Sequence, residues 1–254
     1  MKQQWLPLAT FLALASTTVS AGENLFGTLK GAETLPEGAS ELYQKVIYRS
    51  DKGQGVYRAT DYITEYEYGA TNKLSVTSGI KLMTLETSGL IIDGYLPSVK
   101  SFDFKPKGIE ASLKYMFLSP ALDDIGLAGS LSFDYDWIDT HSGQDKDTFS
   151  IETDLLLQQF ALEGELVWAT NIGTEFTFAD RAEIANLPQD FEWPTDPEME
   201  IEIKIGTGLS YRFMPNWFVS FEGFYETEFE TEVGQERWSF FAGPSLHFGD
   251  KDWW

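Results

Sequence analysis

The chain has 254 residues, with 40 acidic against 18 basic side chains and a formal charge of -22. That sign excludes a nucleic-acid binder, which needs basic surface to meet phosphate. The absence of cysteine removes disulfides, thiol catalysis and thiolate metal sites, while an aromatic content of 15% is high.

In chain order, MKQQWLPLATFLALASTTVSA opens with Lys2, continues with a short apolar core from Leu6 to Ala15, and ends with small residues at Val19 and Ala21. This is the pattern of a secretory signal peptide over residues 1–21. Its apolar run is too short for a membrane-spanning helix, which needs about 20 residues. Residues 22–40 read as a periplasmic N-terminal segment, and residues 41–254 as a single β domain.

Within that domain the apolar residues recur at every second position. Weak alternation marks 41–50 and 56–68. Leu74, Val76, Ser78, Ile80 and Leu82 then alternate with Ser75, Thr77, Gly79 and Lys81. The pattern returns over 109–117 and 127–137, weakly over 148–158 and 161–171, strongly over 199–213 and 217–229, and again near 237–248. Side chains two apart share one face of a strand and scatter around a helix, so these are about ten strands. The segment EMEIEIKIGTGLSYRF places Met199, Ile201, Ile203, Ile205, Leu209, Tyr211 and Phe213 on one face. Glu198, Glu200, Glu202, Lys204 and Arg212 fall on the other. It is more than twice the typical strand length of about 5–6 residues.

The connectors alternate between compact and long. GATNK (69–73), SPALDDIG (119–126), QQF (158–160) and MPN (214–216) are turn-like. DKGQG (51–55), a loop near 86–107, DTHSGQDKD (139–147), a loop near 172–197 and a stretch near 230–236 form the other set. Outer-membrane barrels pair short periplasmic turns with longer extracellular loops. Aromatic residues collect beside the short set: Tyr66, Tyr68, Phe117, Tyr211, Phe213 and Trp217. They suit a membrane interface, although ordinary hairpin pairing also uses such residues. The fold predicted is an all-β, transmembrane, antiparallel up-and-down barrel, with lipid on the apolar face and water on the charged one. A soluble β-barrel or sandwich is the competing fold, and it has difficulty closing a core over so many paired carboxylates.

If MPN is a tight hairpin, the flanking strands pair so that residue numbers sum to roughly 430, as antiparallel register requires. Glu200 then faces Glu230, Glu202 faces Glu228 and Lys204 faces Glu226. Like charges opposed across strands destabilise a sheet, so they need water, counter-ions or protonation. Asp134, Asp136, Glu152 and Asp154 extend this predicted acidic lumen, together with Glu163 and Glu165. Lys45, Arg49, Arg58, Lys81 and Lys114 are predicted to face the interior as well, pairing with Asp61, Glu65, Glu67 and Glu110. An acidic vestibule attracts cations, divalent ions among them, whereas screened charges would make only a hydrated wall.

No catalytic or cofactor-binding residues emerge, so an enzyme is not expected. The two histidines, His141 and His247, belong to no recognisable triad, because sequence adjacency in DTHSGQD shows neither convergence nor an oxyanion hole. No resident metal site or cofactor is predicted.

The stretches LPEGASELYQKVIYR (35–49), TEYEYGATNKL (64–74), LKYMFLSPALDDIGLAG (113–129), LSYRFMPNWFVSFEGF (209–224) and FFAGPSLHFGDKDWW (240–254) resemble an uncharacterised family of Gram-negative outer-membrane β-barrels, a domain of unknown function. The resemblance implies a barrel in the bacterial outer membrane with a periplasmic N-terminus. It implies outer-membrane lipid and lipopolysaccharide as surroundings, and it brings no activity. Members of that family continue past the tryptophan pair, so the sequence reads either as a twelve-stranded barrel truncated at its C-terminus or as a ten-stranded barrel with a short tail. Two functions follow as expectations. One is a passive, porin-like channel for small solutes with a cation-preferring lumen. The other is a non-conducting structural or surface-interaction barrel with acidic extracellular loops.

Overall fold

A computed structural model describes residues 25–52, 54–92, 95–140, 142–182, 197–230 and 235–249. The signal-peptide reading of residues 1–21, and His141, lie outside the described residues. Ten strands run in sequence: β1 (Ser40–Ser50), β2 (Gln54–Thr71), β3 (Leu74–Ile92), β4 (Tyr95–Leu118), β5 (Gly126–Ile138), β6 (Asp145–Ala161), β7 (Leu166–Arg181), β8 (Glu198–Met214), β9 (Trp217–Glu230) and β10 (Gln235–Phe248). Each pairs antiparallel with its sequence neighbour, and together they form one sheet in the order β1 to β10. The fold is an all-β, up-and-down meander curled into a half-barrel. Among the described residues, β1 and β10 pair on one side only.

The alternation sorts the two faces. On β8, Ile205 and Leu209 are 48% and 51% exposed, while Gly206, Gly208 and Ser210 between them are buried. On the neighbouring strands Phe221 and Phe240 are likewise exposed, and Ser220 and Glu222 are buried. The outer, convex face is therefore apolar and the inner face polar. Among the described residues no helix is long and apolar enough to cross a membrane.

Four expectations are corrected. The loop placed near 86–107 is a hairpin of β3 and β4, and the latter reaches 24 residues. Pairing there shifts register at Lys81/Leu82, Met83/Leu85, Thr87/Leu90 and Leu90/Ile92. Each bulge puts successive residues on one face, which erases the period-two signal. Likewise β7 continues to Arg181, so much of the loop placed near 172–197 is strand, and residues 183–196 lie outside the described residues. QQF is not the connector: β6 runs through it, and the turn is a 3₁₀ turn at Leu162–Gly164. Glu163 sits there at φ 57° and Glu165 follows it, so neither stands on the inner wall.

Three apolar clusters fill parts of the interior, the smallest being Ala32, Ala128 and Leu156. Toward the long loops, Tyr57, Ala59, Met83, Leu85 and Ile138 are buried together, with Phe102 and Trp137 packed against them. Toward the short turns, Val167, Ala169 and Phe218 pack with Leu25, Phe26 and Leu29 of the N-terminal segment.

The β8–β9 hairpin turns on Pro215 and Asn216 between the paired residues Met214 and Trp217. Asn216 is held at φ 67°, a left-handed conformation that asparagine tolerates and β-branched residues do not. Asn216→Val is expected to destabilise the fold by about 1–2 kcal/mol. Asn216→Gly should stay within about 0.5 kcal/mol of the wild type. Urea unfolding in detergent micelles would measure both.

Candidate functional site: an internal segment on a charge-paired wall

Residues 25–39 do not hang from the domain. They cross its inner face at the short-turn end, from β9 over β7 and β6 to β3 and β2. The segment has no regular strand, so its main-chain donors need outside partners. Side chains of the wall supply them. The Thr28 and Leu29 N–H groups donate to the Glu222 carboxylate, each at 3.0 Å. The Lys30 N–H donates to Asn171 Oδ1 at 2.7 Å, and Asn171 Nδ2 donates back to the Lys30 carbonyl at 2.9 Å. The Ala32 N–H reaches Gln158 Oε1 at 2.8 Å, and the Leu35 N–H reaches Ser75 Oγ at 2.9 Å. Past these contacts, Gly38 donates to the Gly69 carbonyl at the foot of β2.

Side chains complete the fit. A Cβ built on Gly208 would lie 2.8 Å from Leu29 and 3.0 Å from Phe26; one on Gly206 would lie 2.9 Å from Leu29. The two glycines of GTG therefore make room for the segment to approach β8. Lys30 reaches inward, with its Nζ 2.7 Å from Asp154 Oδ2 and 3.1 Å from Glu152 Oε2. Burial alone would lower the Lys30 pKa, but the two carboxylates outweigh it and hold the ammonium above its ordinary value.

The wall itself carries a row of acids. Glu152 pairs with Glu175, Glu175 with Glu202, and Glu202 with Glu228, so four glutamates oppose one another across β6 to β9. Such a row is unfavourable without cations. Lys204 answers it: its Nζ lies 2.7 Å from Glu175, 3.1 Å from Glu202 and 3.7 Å from Glu152. Arg237 closes the far end on Glu228. A second network runs across β1 to β5. Arg49 meets Asp61 at 2.6 Å, Lys107 stands 3.7 Å from Asp61 and 3.4 Å from Asp136, and Lys81 bridges Asp136 at 2.8 Å to Asp134. Nearer the cavity beside β1, Lys45 meets Glu65 at 2.8 Å, and Lys114 lies 3.9 Å from Glu67.

Over residues 18–254 the sequence matches the family described as "Family of unknown function (DUF6662)". The chain belongs to this family. No curated protein matches it. A similar solved structure is the ferric citrate transporter FecA in the unliganded form, with a TM-score of 0.26 and 14% identity. That match covers 84% of this chain and 36% of the transporter, so the chain spans about a third of the other protein's length.

In this family member, the acids predicted for the lumen divide between the two networks. Glu152, Asp154, Glu200, Glu202, Glu226 and Glu228 stand on the wall of β6, β8 and β9, while Asp134 and Asp136 belong to the β1–β5 network. The register is the one the MPN turn demands: Glu200 with Glu230, Glu202 with Glu228, Lys204 with Glu226. The side chain of Glu230 lies outside the described residues. Of the predicted lumen bases, Lys45, Arg49, Lys81 and Lys114 face inward. Arg58 is a correction: it stands on the face opposite buried Tyr57, Ala59 and Asp61, and pairs with Glu86 at 3.1 Å, both side chains more than half exposed. The period-two count from Tyr57 puts Arg58 outside. The six predicted girdle aromatics lie on the outer face beside the short turns, with the Trp217 ring 5.1 Å from that of Phe248.

Sequence reading missed Lys30, Asn171, Gln158, Glu175, Lys107 and Glu222. The one available signal was the apolar trio Leu25, Phe26 and Leu29 inside the segment read as a periplasmic N-terminal stretch. Among the described residues, no group of three or more His, Asp or Glu is arranged to hold a metal ion.

Lys30→Met leaves Glu152 and Asp154 without this cation. The expected loss is about 1–2 kcal/mol, less than for a fully buried pair because the Lys30 side chain is 42% exposed. The contribution has a defined pH window. A raised folded-state pKa stabilises fully below the ordinary lysine value of 10.5 and fades as pH rises through the folded value. The stability gap between wild type and Lys30→Met should therefore hold at neutral pH and vanish in strong alkali, as read by denaturant titration at each pH.

Proposed function

We propose that this protein is an outer-membrane β-barrel whose passage for small polar solutes is closed at rest by its own residues 25–39. The convex face exposes isoleucine, leucine and aromatic side chains on every strand, whereas a monomer surrounded by water rarely exposes a contiguous apolar face of more than a few hundred Å². Outer-membrane lipid and lipopolysaccharide supply the matching surroundings, with the girdle aromatics at the interface and the short turns on the periplasmic side. An N-terminus beside those turns is then periplasmic too.

The observation that carries the closed state is the seating of residues 28–35 on the inner wall through Glu222, Asn171, Gln158, Ser75 and the Lys30 ion pairs. Withdrawing the segment removes Lys30 from Glu152 and Asp154, and two N–H donors from Glu222. The opened passage would then expose carboxylates without their partners and prefer cations. A second reading, a non-conducting structural barrel, draws support from the Arg49–Asp61–Lys107–Asp136–Lys81–Asp134 chain, which fastens five strands to one another inside the lumen.

Membrane fractionation on a density gradient, with heat-modifiable mobility on gels, tests the location: the folded protein should travel with the outer membrane. Planar-bilayer recording tests the passage. Wild type should be mostly closed. Gly208→Leu, which intrudes on Leu29 and Phe26, should raise the open fraction by about 5–30-fold, as a loss of one or two kcal/mol predicts. Currents should favour cations. No current from folded Gly208→Leu or from folded protein lacking residues 25–39 would reject the passage in favour of the structural barrel.

A further inference from the structure

Between the internal segment and the wall of β1 to β5 lies a cavity of about 500 Å³. This is within the range of about 300–1,000 Å³ that small-molecule pockets occupy. Its chemistry is specific. Three lysines (Lys30, Lys45, Lys114) and three glutamates (Glu33, Glu65, Glu67) line it, so its formal charges balance. Those charges are also committed. Lys45 is on Glu65 at 2.8 Å, Lys30 is on Asp154 and Glu152, and Gln158 Nε2 donates to Glu33 at 3.2 Å. Glu67 has Lys114 at 3.9 Å, and the Tyr43 hydroxyl donates to it at 3.4 Å.

What remains uncommitted is neutral. Thr77 pairs with Ser112 across β3 and β4, and Ser112 with Ser132 across β4 and β5, so three hydroxyls stand in one row on the cavity wall. Among the described residues none of the three hydroxyls has a hydrogen-bond partner. Each can donate one bond and accept two. The carboxylates flanking the row keep further lone pairs beyond their ion pairs, since an ionised carboxylate offers about four acceptor sites. Phe160 adds an aromatic side chain to the lining.

We propose that this cavity binds a small, neutral, polyhydroxylated solute of the sugar class. The assignment rests on the reading of the protein as a solute passage and names what it accepts. A charged solute would find no surplus charge to meet, and would have to break an existing ion pair. A neutral polyol needs alternating donors and acceptors and some apolar surface for its C–H face, which the hydroxyl row, the paired carboxylates and Phe160 supply. Because Lys30, Gly31 and Leu35 form part of the lining, an occupant also touches the closing segment.

The test uses the full chain folded in detergent micelles, with D-glucose, maltose, glutamate and glycine betaine as probes in isothermal titration and saturation-transfer NMR. Saturable binding of glucose or maltose is expected, with glutamate and betaine weaker. The double variant Ser112→Val, Ser132→Val should weaken sugar binding by about tenfold, the worth of one to two hydrogen bonds. Thr77→Val alone gives an independent, smaller loss should the double variant misfold. Heat-modifiable mobility is recorded on the same samples. Protein that keeps this mobility but binds neither sugar, binds glutamate or betaine more tightly, or binds sugar equally well after the serine and threonine changes overturns the assignment and leaves the barrel reading standing. Wild-type protein without heat-modifiable mobility overturns the barrel reading, and this assignment with it.

Discussion

A β-sheet has two faces, and the pleat sends neighbouring residues to opposite ones. Everything in this molecule depends on that alternation being kept over long strands, with hydrocarbon side chains outward and ionisable ones inward. Ile203, Ile205 and Leu209 cannot leave the outer face without bringing Lys204, Glu202 and Arg212 onto it, because a one-residue slip inverts a strand. The charges within are therefore the counterpart of the apolar exterior. Once the sheet curls, they must find solvent, one another, or some other part of the chain.

The molecule uses all three. On β6 to β9 four glutamates in register are tolerable because Lys204 sits among three of them and Lys30 arrives from elsewhere in the chain. On β1 to β5, acids and bases alternate from Arg49 to Asp134. Beside them lies the cavity, where a row of hydroxyls stands among three lysines and three glutamates. The net charge of -22 thus misdescribes the interior, in which most inward acids have a cation within reach. What cross-strand register alone cannot show is Lys30, which lies 122 residues away in sequence from the glutamate it meets.

The regular part of the fold was legible because its signal is local. Strands β5, β8 and β9 declare themselves by strict alternation, and the MPN turn sets a register that the pairing of Glu202 with Glu228 reproduces. Bulges hid β3 and β4 beyond Lys81, since each one breaks the count that periodicity relies on. The second half of β7 was lost because Gly173, Thr174, Thr177 and Ala179 give too little contrast between faces. The internal segment had least chance of being read. Its fastenings are main-chain N–H groups, which every residue but proline owns, and their acceptors sit on β3, β6, β7 and β9.

That mode of attachment bears on what the segment can do. Had residues 25–39 joined the sheet as a strand, or filled a dry core, withdrawal would strip partners from groups with nowhere else to bond. Here the acceptors are side chains on a polar wall beside a roomy polar cavity. Ser75, Gln158 and Glu222 are themselves buried beneath the segment, and each of their bonds is worth about 0.5–1.5 kcal/mol net once solvent can replace the lost partner. Leu25, Phe26 and Leu29, packed against Val167, Ala169 and Phe218, lose burial outright, as do Ala32 against Ala128 and Leu156, and Leu35. The glycines of GTG admit Leu29 and Phe26 against β8, while hydrogen bonds from main-chain N–H groups to side chains of the wall hold the stretch from Thr28 to Leu35. An internal segment fastened in this way has a fixed resting position, set by side-chain acceptors and apolar contacts of the wall, without joining the sheet's own ladder of hydrogen bonds.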